Sequence, residues 1–163
     1  MSNSNRSSRR VSREKALQVL YAHSYNREGT EITAGDLLEK DNDLTDRDFF
    51  ESLVRLTILH TREADELIEK FAKNWELERL ARIDKILLRM GVCEFKYFPE
   101  IPPKVTLNEL IEIAKNFSTA PSSKFVNAIL NEILSFLTEQ NQINKVGRGT
   151  IQESINKPPH TND

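Results

Sequence analysis

The sequence has few of the features that suit a protein to a membrane or to an oxidising compartment. It contains a single cysteine, Cys93, which excludes an internal disulfide. Its first residues are mainly serines, asparagines and arginines instead of the apolar core of a signal peptide. No uninterrupted apolar run approaches the roughly 20 residues that a membrane-spanning helix needs. We therefore expect a soluble protein of the cytoplasm.

Residues that commonly perform catalysis are also scarce. The three histidines, His23, His60 and His160, are dispersed, and no metal-ligand spacing joins them to a cysteine. Gly147 and Gly149 have no preceding strand and no following Lys-Ser or Lys-Thr pair, so a phosphate-binding loop is not expected. Carboxylates on surface helices are mostly solvated charges or ion-pair partners. The sequence thus predicts a protein that is not an enzyme and that uses no cofactor and no metal.

Charge is unevenly distributed along the chain, although the net charge is only −2. The first fifteen residues contain one acid, Glu14, and five cations: Arg6, Arg9, Arg10, Arg13 and Lys15. Between Glu28 and Asp48 the balance reverses, with eight acids against two cations. A basic end of this kind indicates an anionic partner, although a solvated leader would have the same composition.

Helical periodicity extends over nearly every segment from Arg10 to Thr138, and no segment alternates apolar and polar residues as a half-buried strand would. The predicted fold is all-α, a single bundle of about seven helices that can be divided into N- and C-terminal sub-bundles. The segment Leu77–Phe98 is the most strongly helical and predicts the central helix. We place a flexible basic leader at residues 1–8, the helical domain at 9–138 and a disordered polar tail at 139–163.

The segment Ser122–Asn127 predicts the start of the last helix, because Pro121 suits a first helical turn. An exposed helix N-terminus favours phosphate, and Lys124 would add a cation. Phe125 has two possible roles. It would stack on an unpaired base for about 1–3 kcal/mol, or it would face the core in register with Ile129 and Ile133.

These segments, taken in order, resemble the NusB family of bacterial transcription factors from about Arg9 to Leu134. The matching segments are Arg9–Tyr21, Asp84–Arg89, Ile101–Phe117 and Ser123–Asn127. The last two are specific, because a proline-bounded Lys-Val-x-x-Asn-Glu helix and a Lys-Phe-Val-Asn helix rarely occur together by chance. The chain departs from the family pattern at Val11, Pro121 and Ser123, where an arginine, an acid and a histidine are usual.

The resemblance implies a seven-helix protein that binds the boxA element of nascent RNA together with NusE, a small-subunit ribosomal protein. The pair would then join NusA, NusG and RNA polymerase in transcription antitermination, mainly on ribosomal RNA operons. The positions that match RNA contacts of the family are Arg9, Arg10, Arg13, Lys124, Phe125 and Asn127. Those that match its NusE contacts are Tyr21, Glu78 and Asp84.

Two other classes of protein remain as alternatives. A helical scaffold that binds only protein would also have this pattern, with the arginines as a solvated leader. Some RNA cytosine methyltransferases have a NusB-like domain before their catalytic domain, so a fragment of such an enzyme is the second alternative. A steep salt dependence of RNA affinity would distinguish an RNA-binding protein from a scaffold.

Overall fold

A computed structural model describes residues 2–30, 34–36, 45–72 and 80–150, with side chains described from Ser8 onward. Helices with described bounds are α1 (Ser2–Tyr25), α2 (Arg47–Leu59), α3 (Thr61–Phe71), α4 (Arg82–Tyr97), α5 (Pro103–Phe117) and α6 (Ala120–Glu139). Residues 34–36 are helical as well, and 3-10 turns form at Arg27–Gly29 and Gly147–Thr150. These residues include no strand. The predicted all-α fold class is therefore confirmed.

Helix α4 is the centre of the bundle and packs against each of the other five helices. Its middle turns are buried on all sides, from Ile86 through Phe95 with the exception of the half-buried Arg89. Gly91 lets α6 approach closely, because a Cβ at that position would come within 2.6 Å of Leu130 Cδ2. The prediction of a central helix in this part of the sequence is confirmed for residues 82–97, and residues 73–79 lie outside the described part of the chain.

Helices α1, α2 and α3 pack on one side of α4. The buried face of α2 is formed by Phe49, Phe50, Leu53, Val54 and Thr57. Its N-cap is Asp46, whose carboxylate accepts the Phe49 N–H at 3.1 Å. This contact satisfies an amide that would otherwise lack an intrahelical partner. The neighbouring Thr45 instead accepts a hydrogen bond from Lys15 Nζ at 2.7 Å, which joins this end of α2 to α1.

Helices α5 and α6 pack on α4 and on each other. Helix α5 begins at Pro103, where the missing N–H costs no helical hydrogen bond. Thr119 caps α6, and its side chain accepts the Ser122 N–H at 3.2 Å. Pro121 lies in the first turn of α6, as the sequence predicts.

Both ends of the described chain are more ordered than the composition suggests. Helix α1 begins at Ser2, so its backbone includes residues that we assigned to a flexible leader. Residues after α6 turn back onto the end of α4. There Lys145 Nζ donates to the carbonyls of Glu94 and Phe98, at 3.0 and 2.7 Å, and the Val146 N–H donates to Pro99 O. Residues 140–150 are thus part of the folded domain, while 151–163 lie outside the described residues.

The anchor at Lys145 has an electrostatic cost. Burial lowers the pKa of Lys145 to about 8, although the nearby acids Glu94 and Glu100 act in the opposite direction. Close contact continues at Gly149, where a Cβ would lie 1.9 Å from Pro99 O. Among the described helices, none is both long and apolar enough to cross a bilayer.

Candidate nucleic-acid and partner surfaces

Arg10 is the most accessible of the predicted RNA-binding arginines. Its side chain is 45% exposed, and it makes a two-bond contact with Glu109 of α5 at 2.7 and 2.9 Å. The hydrogen bond to Glu109 raises the pKa of Arg10 above its ordinary value. A guanidinium has five N–H donors, so this contact leaves three of them for another acceptor.

Arg9 lies beside Arg10 and is half-buried. Its Nε is 3.8 Å from the Asp46 carboxylate, and its guanidinium lies 5.2 Å from the centre of the Phe49 ring. No hydrogen bond within the described part of the protein reaches Arg9 Nε. An ion pair at this distance is weak. Arg9 and Arg10 therefore form a basic surface in the first half of α1.

Arg13 corrects the sequence prediction, because the structure buries it. Its side chain is 2% exposed and makes a two-bond contact with Glu94 of α4, at 2.9 and 2.6 Å. Thr106 Oγ1 also donates to Glu94, at 3.0 Å. Burial by itself lowers the pKa of Arg13, but the charge and hydrogen bonds of Glu94 outweigh that effect and raise it. Arg13 therefore holds helices together and offers no surface to RNA.

The predicted residues on α6 are only partly accessible. Lys124 and Asn127 are exposed on its outer side, and the Asn127 side-chain oxygen accepts from Asn131 at 2.8 Å. Phe125 is half-buried against the core and lines a groove with Phe71 and Phe136. This position agrees with its helical register and makes Phe125 at least in part a packing residue.

The start of α6 and the basic surface are separate places. Glu109, which contacts Arg10, lies eight residues before the last residue of α5, a separation of about 12 Å along the helix. The amides of the first turn of α6 are also partly satisfied, since Ser122 N–H and Ser123 N–H donate to Thr119. The α6 start is thus a weaker phosphate site than the sequence predicts.

Tyr21 belongs to a surface that the sequence pattern only partly indicates. Tyr21 is 38% exposed, and its ring meets Tyr25 edge-on with centroids 5.3 Å apart. Arg82 of α4 lies 3.9 Å above the Tyr25 ring and donates to Ser24. We call Tyr21, Tyr25 and Arg82 the tyrosine surface. Exposed tyrosine and arginine side chains are typical of protein interfaces. Tyr25 and Arg82 are not among the partner contacts predicted from the sequence, although their residue types are the signal that would have found them.

Asp84 corrects the sequence prediction in a similar way. It is 4% exposed, and its carboxylate accepts from Ser118 Oγ at 3.0 Å. This bond joins the start of α4 to the turn between α5 and α6, so Asp84 positions helices instead of contacting a partner directly. Glu78 lies outside the described residues.

The polar side chains at the contact between α3 and α4 bond to one another. Glu63 on α3 accepts from Tyr97 at 2.6 Å and pairs with Lys96. Burial alone would raise the pKa of Glu63, but these hydrogen bonds outweigh it and lower the value. Burial raises the pKa of the Cys93 thiol to about 12, so the thiolate is scarce at neutral pH. These groups stabilise the contact between α3 and α4.

Comparison with known proteins identifies relatives along most of the chain. The model of the NusB family matches residues 10–135. A transcription antitermination protein NusB of Salinibacter ruber is 46% identical over 147 residues, which are 89% of this chain and 92% of that protein.

Solved structures agree with this family match. A crystal structure of the antitermination factors NusB and NusE in complex with double-stranded RNA has a TM-score of 0.68 at 26% identity, covering 78% of this chain and 96% of the other. NusB of T. maritima has a TM-score of 0.69 at 31% identity, covering 78% of this chain and 90% of the other.

Proposed function

This chain belongs to the NusB family, and we propose that it is a transcription antitermination factor that binds RNA together with NusE. Its target is boxA-type RNA in nascent ribosomal transcripts. The assembled pair joins NusA, NusG and RNA polymerase. In this role the protein is an adaptor between RNA and protein partners and performs no chemistry on either.

The observation that supports RNA binding most directly is the half-exposed Arg10 guanidinium beside Arg9. Two cations at adjacent positions on one helix present charge to a phosphate backbone. Such contacts supply affinity and register without reading sequence. Lys124 and Asn127 on α6 form a second, smaller contact for the same strand. We leave Arg13 out of this interface because it is buried.

We assign the tyrosine surface to NusE. A ring pair with an arginine above it gives a large contact area and loses little side-chain entropy on binding. Glu78 remains a predicted NusE contact from the sequence pattern.

The test is fluorescence anisotropy of a labelled boxA-type RNA and a scrambled control, with and without NusE. We expect selective binding that NusE strengthens. Replacing Arg9 and Arg10 by Ala should weaken binding to both RNAs. The slope of log affinity against log salt should become less steep by about 0.7 for each phosphate that the variant no longer neutralises.

The matched control is Arg62→Ala with Lys104→Ala, which removes two cations from exposed positions on α3 and α5. It should leave the salt slope unchanged. Equal losses for the control and for the α1 variants would mean that net charge alone acts. No preference for boxA-type RNA in either condition would favour a helical scaffold that binds protein.

A further inference from the structure

A cleft opens between the C-terminal end of α1 and the start of α4, next to the tyrosine surface. Its volume is about 560 Å³, which is enough for a few side chains of a partner. Ser24, at its rim, lies fourteen residues after Arg10, or about 21 Å along α1. The cleft is thus separate from the basic surface that we assign to RNA.

The lining of this cleft carries one sign of charge. Four cations contribute to it: Arg27, Arg82, Lys85 and Arg89. Arg89 is committed to Asp65 by two hydrogen bonds, of 2.7 and 2.9 Å. None of the described residues that line the cleft is an acid. Arg27 and Arg82 therefore give it a positive potential, which walls of low dielectric constant strengthen.

His23 adds little charge to the cleft. Its ring bonds to Thr30 at 2.6 Å, and burial together with the charge of Arg27 lowers its pKa below the usual value. At neutral pH the imidazole is therefore mainly uncharged, and the positive potential does not depend on it.

The remaining lining has four aliphatic side chains, Leu20, Ile58, Leu80 and Ile86, besides the polar His23, Ser24, Thr57 and Thr61. Apolar side chains beside cations suit a ligand that has both carboxylates and an apolar group. A nucleic acid would gain less from this cleft, because its backbone has no apolar group and the described lining residues include no phenylalanine, tyrosine or tryptophan on which a base could stack. The nearest exposed ring, Tyr25, is covered by Arg82.

From this charge complementarity and this lining we propose that the cleft binds an acidic segment of a protein partner. Carboxylates of that segment pair with Arg27 and Arg82, and one apolar side chain inserts among Leu20, Ile58 and Ile86. Arg82 borders both the cleft and the tyrosine surface, so one partner can occupy the two together.

The experiment uses short labelled peptides of Glu and Asp with two leucines, titrated into the full chain and followed by anisotropy. One matched peptide has Gln and Asn in place of the acids, and a second keeps the acids but has Gly in place of Leu. The cleft variant is Arg27→Ser with Arg82→Ser. Its control is Arg62→Ser with Lys104→Ser, which removes two exposed cations that do not line the cleft.

We expect the acidic leucine peptide to bind more tightly than both matched peptides. The cleft variant should weaken it about tenfold, since two partly exposed charges are lost, while the control changes it less than about twofold. If the double variant does not fold, as judged by circular dichroism, Arg27→Ser alone should still weaken binding about threefold.

Three outcomes would overturn the proposal. Equal weakening by the control pair would indicate attraction by net charge. Equal binding of the glycine peptide would indicate a simple anion site. A labelled poly-U RNA that loses affinity in the cleft variant, while the peptide does not, would assign the cleft to nucleic acid. The assay with boxA-type RNA tests other residues, so either proposal can fail while the other stands.

Discussion

Arg10 and Arg13 lie three residues apart on α1, and each makes a two-bond contact with a glutamate from another helix. The Arg10 and Glu109 side chains are 45% and 5% exposed, whereas those of Arg13 and Glu94 are 2% and 0% exposed. The same pair of residue types therefore serves two purposes. The partly exposed pair keeps donors for an external anion, and the buried pair joins α1 to α4.

Burial also changes the energetics of the two pairs. A buried ion pair gains little net stability over apolar packing, because both charges lose their hydration. Removing only one member is expensive, since the other is left charged without water. Arg10 would be rehydrated if Glu109 were lost. An arginine that is close in sequence to a basic surface can therefore be buried and take no part in that surface.

The largest effect should come from removing the glutamates one at a time. Glu94→Leu should lower the free energy of unfolding by about 3–5 kcal/mol, because Arg13 remains buried without a partner. Glu109→Leu should cost about 1 kcal/mol or less, because water reaches Arg10. Urea denaturation of each variant measures the difference.

The double variant Arg13→Met with Glu94→Leu sharpens this result. It removes both buried charges, and we expect it to recover much of the stability that Glu94→Leu loses. If Glu94→Leu alone cost no more than Glu109→Leu, the distinction between the two pairs would be wrong.

An intermediate effect should appear in RNA binding. Glu109→Gln removes the carboxylate that competes with phosphate for Arg10, so RNA affinity should rise about fivefold, equivalent to about 1 kcal/mol for unit charges about 4 Å apart in water. Glu94→Gln should leave RNA affinity unchanged in folded protein. Anisotropy at fixed salt measures both. A loss of affinity in Glu109→Gln would instead make Glu109 a residue that positions Arg10 for RNA.

The smallest effect concerns pH and Lys145, which donates to the Glu94 carbonyl. Lys145 has a pKa of about 8 in the folded protein against an ordinary 10.5. Between these values the unfolded chain binds more protons than the native state, so this group makes stability rise with pH. Below about pH 8 the cost of burying the charge is fully present.

The expected signature is a difference between the wild type and Lys145→Met. As pH rises from 8 to 10.5, the urea midpoint of the wild type should increase relative to that of the variant. Lys104→Met, at an exposed position on α5, is the control and should track the wild type. Parallel curves for the wild type and Lys145→Met would show that burial of Lys145 does not affect stability.

Much of this architecture could be predicted from sequence, because apolar periodicity reports burial directly. The same periodicity indicates that Arg13 is buried, because it lies in register with Ala16, Leu17 and Leu20 on the buried face of α1. Glu94 gave the matching signal, as an acid within the apolar run from Gly91 to Phe95. The family resemblance assigned RNA contacts to arginines by their position in the sequence alone, without regard to which of them lie on the buried face of the helix.

Other features could not be predicted, because they depend on contacts between distant parts of the chain. Asp84 is covered by the turn at Ser118, which periodicity within one helix does not reveal. Residues 140–150 have no apolar period, yet backbone hydrogen bonds and Lys145 hold them in place. Composition indicates how much apolar surface a segment can bury. It does not show which backbone carbonyls elsewhere in the fold the segment can hydrogen-bond.

The anchor at Lys145 has a consequence for the timing of synthesis. Lys145 bonds to the carbonyl of a residue made 51 positions earlier. At ribosomal rates of about 5–20 residues per second, that carbonyl, which already accepts the Phe98 N–H, gains its bond from Lys145 roughly 3–10 s after its own synthesis. The contact between the end of α4 and residues 140–150 therefore forms only after all six described α-helices have been synthesised.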